Sequence, residues 1–257
     1  MRRCLLLFLL VFAPHLVYAQ NKSSCDPLAY QTVNNFLQKH GLIKTGDLMD
    51  NEISSDCHVF AYSSKFTIAT FGYSLSSSTD HENDVDGIFI GVLDTSKLKV
   101  VAYNWRKLYV DAESDLNDSS LRIDPSTFKL NKTVEAFGLK YESAASGARC
   151  VDAGWENLLT LFVRHGSALS PVFHTYRHIW MFTDGCDALA GSVPTDANLR
   201  IAVASKRTNG YRDLIITNTS ENEKVVLEYN GRKYLWPTNN APWWTSYGDS
   251  GEDWILP

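Results

Sequence analysis

Three carboxylates, Asp80, Asp84 and Asp86, form the densest group of candidate metal ligands in the sequence. Gly87 follows them and permits a tight turn, and an apolar run over residues 88–92 comes next. Carboxylate oxygens that alternate along a loop are the ligands that Ca²⁺ prefers. The same composition is typical of a solvated hairpin loop. We favour the solvated loop, expect no other cofactor, and keep calcium binding as the alternative.

The order of acidic loop, Asp-Gly pair and apolar strand resembles the calcium loops of FG-GAP repeats in β-propellers. The segment at residues 209–216 (NGYRDLII) is similar to the strand half of the same pattern. This resemblance implies a calcium ion held by the acidic loop. A propeller needs at least about four such blades, and the sequence contains no third copy, so we do not expect that fold.

The tripeptide Arg164-His165-Gly166 is the second group that could do chemistry, because it ends an apolar run over residues 158–163. A strand that ends in this way resembles the histidine phosphatases, in which the histidine is the nucleophile and arginines hold the phosphate. The resemblance implies these roles for His165 and Arg164. The family motif continues with a further arginine, which is missing here. We therefore favour a hairpin in which Gly166 makes the turn, and a secreted hydrolase using His165 is an alternative.

A third candidate is the aromatic C-terminal segment with Trp243, Trp244 and Trp254. Exposed indoles would suit stacking on sugar rings or anchoring of a protein interface. Aromatic side chains this dense seldom stay exposed on a soluble monomer. We therefore favour a terminal segment that packs over the sheets and closes an edge of the core.

The pair His174 and His178 has the four-residue spacing of a helical metal site. Strands are predicted on both sides of the pair, and a strand would place the two residues about 13 Å apart. We expect two polar positions around a turn at Tyr176 and Arg177, and no metal.

Four cysteines, Cys25, Cys57, Cys150 and Cys186, remain after residues 1–19. An even number in an exported chain favours disulfides over a zinc site, for which the spacing is wrong. Three pairings are open. We prefer Cys25–Cys57 and Cys150–Cys186, of which the first would join the N-terminal helix to the strand after it.

Residues 1–19 have the pattern of a secretory signal peptide. Arg2 and Arg3 precede a short apolar core, Cys4–Ala13, and Val17-Tyr18-Ala19 suits a signal peptidase. We expect an exported protein, periplasmic or secreted, with no membrane anchor after cleavage. Residues 20–257 are expected to form one domain, with a possible subdivision near residue 145.

The rest of the chain predicts a mainly-β fold, a sandwich or meander sheets, with one N-terminal helix over residues 27–43; an α+β fold is the alternative. The pair Asn230-Gly231 predicts a hairpin turn inside a C-terminal three-stranded meander. Strands are expected at residues 58–63, 66–74, 87–94, 99–110, 134–142, 157–165, 171–182, 199–205, 211–217 and 224–236.

The composition excludes few functions but makes several improbable. There are 24 basic and 29 acidic residues, for a net charge of −5, and no basic block that would suit a nucleic acid. Nucleotide-binding and serine-hydrolase motifs are absent from the sequence. We expect a soluble, non-enzymatic binding protein of an inhibitory or immunity type, with a protein partner or a cell-envelope component. A calcium- or carbohydrate-binding surface module is the first alternative.

Overall fold

The structure is a computed structural model that describes residues 25–43, 47–60, 64–75, 85–112, 114–145, 153–182, 193–237, 239 and 241–247. The leader, Cys150, Cys186, Asp80, Asp84 and Trp254 lie outside the described residues, so what was expected of them stays a prediction. Among the described helices, none has the length and apolar character needed to cross a membrane.

The fold is mainly β, as predicted. Two α-helices, α1 and α2, precede twelve strands, β1 to β12. Their bounds are α1 Pro27–Lys39, α2 Leu48–Asn51, β1 Glu52–Val59, β2 Thr67–Ser74, β3 Val85–Asp94, β4 Lys99–Tyr109, β5 Leu121–Lys129, β6 Glu135–Tyr141, β7 Ala153–His165, β8 Ala168–Met181, β9 Thr195–Thr208, β10 Tyr211–Asn218, β11 Glu223–Tyr229 and β12 Tyr234–Leu235.

Helix α1 begins at Pro27, as the sequence predicts, and ends at Lys39 rather than at residue 43. Asp26 accepts a hydrogen bond from the Ala29 backbone N–H at 2.7 Å, which caps the first turn. Val33 and Leu37 are fully buried against the sheet, which stabilises the helix by about 1.5–3 kcal/mol for each side chain. Cys25 and Cys57 lie at disulfide distance, with their Cα atoms 4.8 Å apart, and join the start of α1 to β1. This pairing was predicted.

The strands form two antiparallel meanders that meet at β4 and β8. Strands β1–β4 pair in sequence, and so do β5–β12. The two series join through one parallel bridge between Tyr103 and Ala168. The possible subdivision near residue 145 would fall in the connection between β6 and β7. These two strands pair directly with each other.

Strands in the middle of the fold are buried on both faces. Along β3, Ile88 and Ile90 pack into a core shared with β5–β8, which we call the middle core. Phe89 and Leu93 point to the other face and pack into a separate core with α1. Along β7, Leu158 joins the same middle core, and Leu159 joins a third core with β9–β12. Burial on both faces explains why these strands read as continuous apolar runs without alternation.

Side chains of β1 close the middle core along one edge. Strands β1 and β5 lie side by side without a backbone ladder between them. Instead, Ser54 Oγ accepts a hydrogen bond from the Leu121 N–H at 3.1 Å, and Asp56 Oδ2 accepts one from the Ile123 N–H at 2.8 Å. Ser54 and Asp56 are both buried. Two side chains thus satisfy backbone donors that would otherwise be buried without partners.

Three sequence-based expectations about the strands and turns need correction. Strand β5 was missed because Asp124-Pro125-Ser126 reads as a turn; these residues form a bulge, where a proline is tolerated. Strand β1 lies earlier than the expected 58–63. The turn expected at Tyr176 and Arg177 is wrong, because β8 continues through both residues and pairs with β7 on each side of them.

Replacing Asp56 by alanine should destabilise the protein by about 1–3 kcal/mol, because the Ile123 N–H would remain buried without an acceptor. Urea denaturation followed by circular dichroism measures the loss. The matched control is Asp118→Ala, a change at an exposed aspartate, for which a loss below about 0.5 kcal/mol is expected. Equal losses in the two variants would contradict the role given to Asp56.

Candidate functional site

His165 and Arg164 lie at the exposed β7–β8 hairpin, as the favoured interpretation expected. The Arg164 Nε–H donates a hydrogen bond to the Gly166 carbonyl at 2.9 Å, and Gly166 has a positive φ of 61°. Within the described part of the chain, the His165 imidazole forms no hydrogen bond or ion pair with another side chain. Phosphatase use of His165 and Arg164 therefore remains an alternative that rests on the sequence alone.

Of the calcium candidates, only Asp86 is described. It is buried inside β3, where it pairs with Ser74 of β2 and Leu108 of β4. Asp86 therefore belongs to a strand and not to the loop that the sequence suggested. Because Asp80 and Asp84 are not described, calcium binding by the three carboxylates stays a prediction.

Two tryptophans of the C-terminal segment, Trp243 and Trp244, are described, and both lie over the third core. Trp244 is completely buried, donates from Nε1 to Glu223 Oε2 at 3.0 Å, and meets Trp236 edge to face. Trp243 is half-buried against the same core. Trp244 therefore packs into the core, as the favoured interpretation expected. Its ring has no exposed surface on which a sugar could stack.

An exposed sheet face was not anticipated from the sequence. On β9, β10 and β11, two rows of directly opposed residues point away from the third core. We call the six residues of these rows the open face. They are Arg200, Thr217 and Lys224 in one row, and Ala202, Ile215 and Val226 in the other.

The open face has an apolar centre beside a basic row. Val226 is 51% exposed, and Ile215 is half-buried beside it. Arg200 and Lys224 are exposed in the neighbouring row. The inward residues of the same strands, such as Leu214 and Leu227, are fully buried in the third core. One face therefore stabilises the sheet, while the residues of the other face are exposed or half-buried among the described residues.

A groove of about 400 Å³ adjoins one end of the open face. Val226, Glu228 and Leu235 line it together with Asn209 and Asn230. Its volume lies within the range of small-ligand sites, about 300–1,000 Å³. The groove extends the open face toward β12.

Charged side chains lie beside this groove. Lys206 Nζ forms an ion pair with Glu228 and lies 3.6 Å from Asp213 Oδ2. The hydrogen bond to Glu228 raises the pKa of Lys206, and the nearby Asp213 carboxylate adds to the shift. Asp213 is fully buried, and within the described residues its oxygens form no hydrogen bond. Lys206 is therefore the charge that balances a buried carboxylate under this end of the face.

At the opposite end, β7, β8 and β9 bring a tryptophan and several polar side chains together. The register places Glu156, His178 and Asn198 in one row across three strands, and Gly154, Trp180 and Asp196 in the next. Opposed residues in such rows point to the same face, about 5 Å apart. We call Glu156, His178, Trp180, Asp196 and Asn198 the Trp180 platform.

Two hydrogen bonds to one carboxylate fix the Trp180 platform. The Trp180 indole Nε1–H donates to Glu156 Oε1 at 3.2 Å, and His178 Nδ1 lies 3.1 Å from Glu156 Oε2. Since an ionised carboxylate only accepts, His178 donates from Nδ1. The hydrogen bond from His178 lowers the pKa of Glu156; desolvation opposes this shift, and the hydrogen bond from Trp180 adds to it.

The backbone of β7 makes room for the indole. A Cβ atom at Gly154 would overlap the Trp180 ring, so the indole crosses directly over this glycine. Asn157 has a left-handed φ of 56°, a conformation that asparagine tolerates better than most residues. It lies between Glu156 of the platform and Leu158 of the middle core. This left-handed residue thus lies where burial along β7 ends and the platform begins.

Further hydrogen bonds fix the polar side chains at the edge of the platform nearest to the open face. Asp196 Oδ2 accepts from the Asn198 amide at 2.8 Å and from the Ser220 hydroxyl at 3.0 Å. These three side chains are mutually positioned by the β9 strand and the turn after β10. Polar groups on the platform are therefore ordered before any ligand arrives.

From the sequence, His178 was expected only as a polar position beside a turn at Tyr176 and Arg177, and Trp180 was not singled out. Residues 174, 176, 178 and 180 are spaced two apart on one strand and therefore share a face. This spacing was the sequence signal that could have grouped His178 with Trp180. Comparison with protein-family models, curated proteins and solved structures gives no significant match for this chain. The open face and the Trp180 platform are therefore the features of the described residues from which we infer a function.

Replacing His178 by phenylalanine should raise the pKa of the Glu156 carboxyl back toward its ordinary value, because the largest contribution that lowers it is lost. Carboxyl ¹³C chemical shifts followed from pH 2 to 7 measure this change. Since the folded pKa is lowered, Glu156 stabilises the wild-type protein above its unfolded pKa and loses that effect as pH falls. Glu142→Gln is the control and should leave the Glu156 titration unchanged. An unchanged Glu156 titration in His178→Phe would contradict the coupling.

Proposed function

We propose that this chain is an exported, non-enzymatic binding protein that attaches to a component of the cell envelope through the open face. The observation that carries the proposal is the exposed apolar centre of that face, Ile215 and Val226, on strands whose other side is fully buried. Export is supported by the leader pattern of residues 1–19, and its destination is the periplasm or the exterior.

The composition of the face agrees with a binding role. Binding surfaces combine an apolar centre with a polar, water-accessible rim. Here Val226 and Ile215 are the centre, and the rim contains Arg200 and Lys224 on one side and Glu228 on the other. Contact with a partner would remove the aliphatic side chains from water at roughly 25 cal/mol per Å² of apolar area.

The shape of the face also supports binding of an extended component. The Trp180 platform, the open face and the groove follow one another across β8–β12 on the same side of the sheet. A partner that spans several strands could contact all three. Sites carried by paired strands are held more rigidly than sites on loops.

Replacing Val226 by lysine should weaken binding to the insoluble envelope fraction of the source cells by about ten-fold, because a charge would replace the exposed apolar centre. Co-sedimentation of residues 20–257 with that fraction, over a range of protein concentrations, measures the affinity.

The control is Val59→Lys, which adds the same charge at a valine that is 65% exposed on β1, far from the open face in strand order. This variant should sediment as the wild type does. Equal weakening by both changes, or no sedimentation of the wild type, would overturn the proposed function. Sedimentation that requires added Ca²⁺ would instead favour the calcium-dependent alternative.

A further inference from the structure

We propose that the Trp180 platform is a subsite for one neutral pyranose ring of an oligosaccharide. The inference rests on the proposed function, since the platform continues the open face, and it names the class of envelope component that this end would recognise. It is carried by the position of one indole among ordered hydroxyl-binding groups.

The first step is the position of the ring. A Cβ atom at Gly154 would lie 2.4–2.7 Å from the indole Nε1, Cε2 and Cζ2 atoms, so the ring lies directly against the β7 backbone at this glycine. Trp180 is half-buried and belongs to none of the three cores formed by the described residues. A tryptophan in such a position offers apolar area to a ligand, and the negative face of its π-system attracts polarised C–H groups.

The second step is the rigidity of the ring. The hydrogen bond to Glu156 and an edge-to-face contact with Phe182, at 5.9 Å between ring centroids, hold the indole in one orientation. A side chain that is already ordered loses little conformational freedom when a ligand binds. The platform is therefore preorganised.

The third step is the set of polar groups around the ring. Asp196 lies directly opposite Trp180 on β9, and Asn198 lies opposite His178. Carboxylates and amides can bind the vicinal hydroxyls of a sugar as acceptor and as donor. The Cβ atoms of directly opposed strand residues are about 5 Å apart, a spacing similar to the width of a pyranose ring.

The fourth step is charge. Glu156 and Asp196 place two carboxylates beside the ring, and His178 is the platform residue that pairs with one of them. A carboxylate on a sugar that stacks on Trp180 would be repelled by these oxygens, whereas neutral hydroxyls would be bound. Arg200 of the basic row lies two residues beyond Asn198 on the same face of β9, outside the platform. The platform thus favours a neutral or N-acetylated pyranose over a uronic acid.

The test uses residues 20–257 with three soluble probes: cellohexaose, chitohexaose and hexagalacturonate. Isothermal titration calorimetry gives the affinity, and the Trp indole N–H resonances in ¹H–¹⁵N spectra report where each probe binds. We expect one or both neutral probes to bind and to shift the Trp180 indole resonance, and hexagalacturonate to bind at least about ten-fold more weakly.

Trp180→Ala should weaken binding of the neutral probe by about ten-fold or more. The matched control is Trp155→Ala, because Trp155 lies on the adjacent strand, is 46% exposed, and points to the opposite face, in a row with Ile179 and Ala197. That variant should bind as the wild type does. Asn198→Ala, a change at an exposed side chain, is the second test and should weaken binding several-fold without unfolding the protein.

The inference is overturned if neither neutral probe binds, if hexagalacturonate binds best, or if Trp155→Ala weakens binding as much as Trp180→Ala. The envelope co-sedimentation assay separates this failure from that of the proposed function. If Val226→Lys loses sedimentation and Trp180→Ala keeps it, the open face binds the envelope and the sugar subsite is wrong. If both variants sediment as the wild type does, the proposed function itself is wrong.

Discussion

The closure of the middle core by side chains of β1 is the constraint on which the remaining architecture depends. A backbone ladder between β1 and β5 would have made a regular continuation of the sheet. Instead, Ser54 and Asp56 accept the Leu121 and Ile123 N–H groups, so the two meanders can pack face to face along this edge. Buried donors must find acceptors, and a short polar side chain provides one where the backbone carbonyl is out of reach. Both meanders are thereby held against the middle core.

The unequal lengths of the two meanders explain why one sheet face remains exposed. Strands β1–β4 cover one face of β7 and β8 as far as Leu158 and Tyr176, which pack into or against the middle core. Beyond that point the same face carries Glu156, His178 and Trp180, and it continues onto β9–β11 as the open face. Strands β9–β12 need only their inner side for the third core. The proposed binding surface is therefore the part of the long meander that the short one does not reach.

Local signals in the sequence were reliable where a short-range interaction decides the structure. Asp26 and Pro27 mark the start of α1, and Asn230-Gly231 turns the chain between β11 and β12, with Gly231 at a positive φ of 101°. The Cys25–Cys57 pairing followed from chain order. Strand β5 was missed because its stability comes from β6 and from the side chains of β1, and a Pro-containing bulge hides its pattern. The Trp180 platform could not be predicted for a similar reason, because its members come from three strands whose register is set by the tertiary structure.

By itself, the sequence determined the mainly-β class, the N-terminal helix, most of the strands and the Cys25–Cys57 pairing, because periodicity, capping and turn chemistry act over a few residues. Only the tertiary structure decided which face of each strand is covered. Trp244 and Trp180 are the same residue type; Trp244 is fully buried in the third core, and Trp180 is half-buried beside Gly154. Alternation along a strand shows which residues share a face, but the neighbouring layer decides whether that face is core or surface.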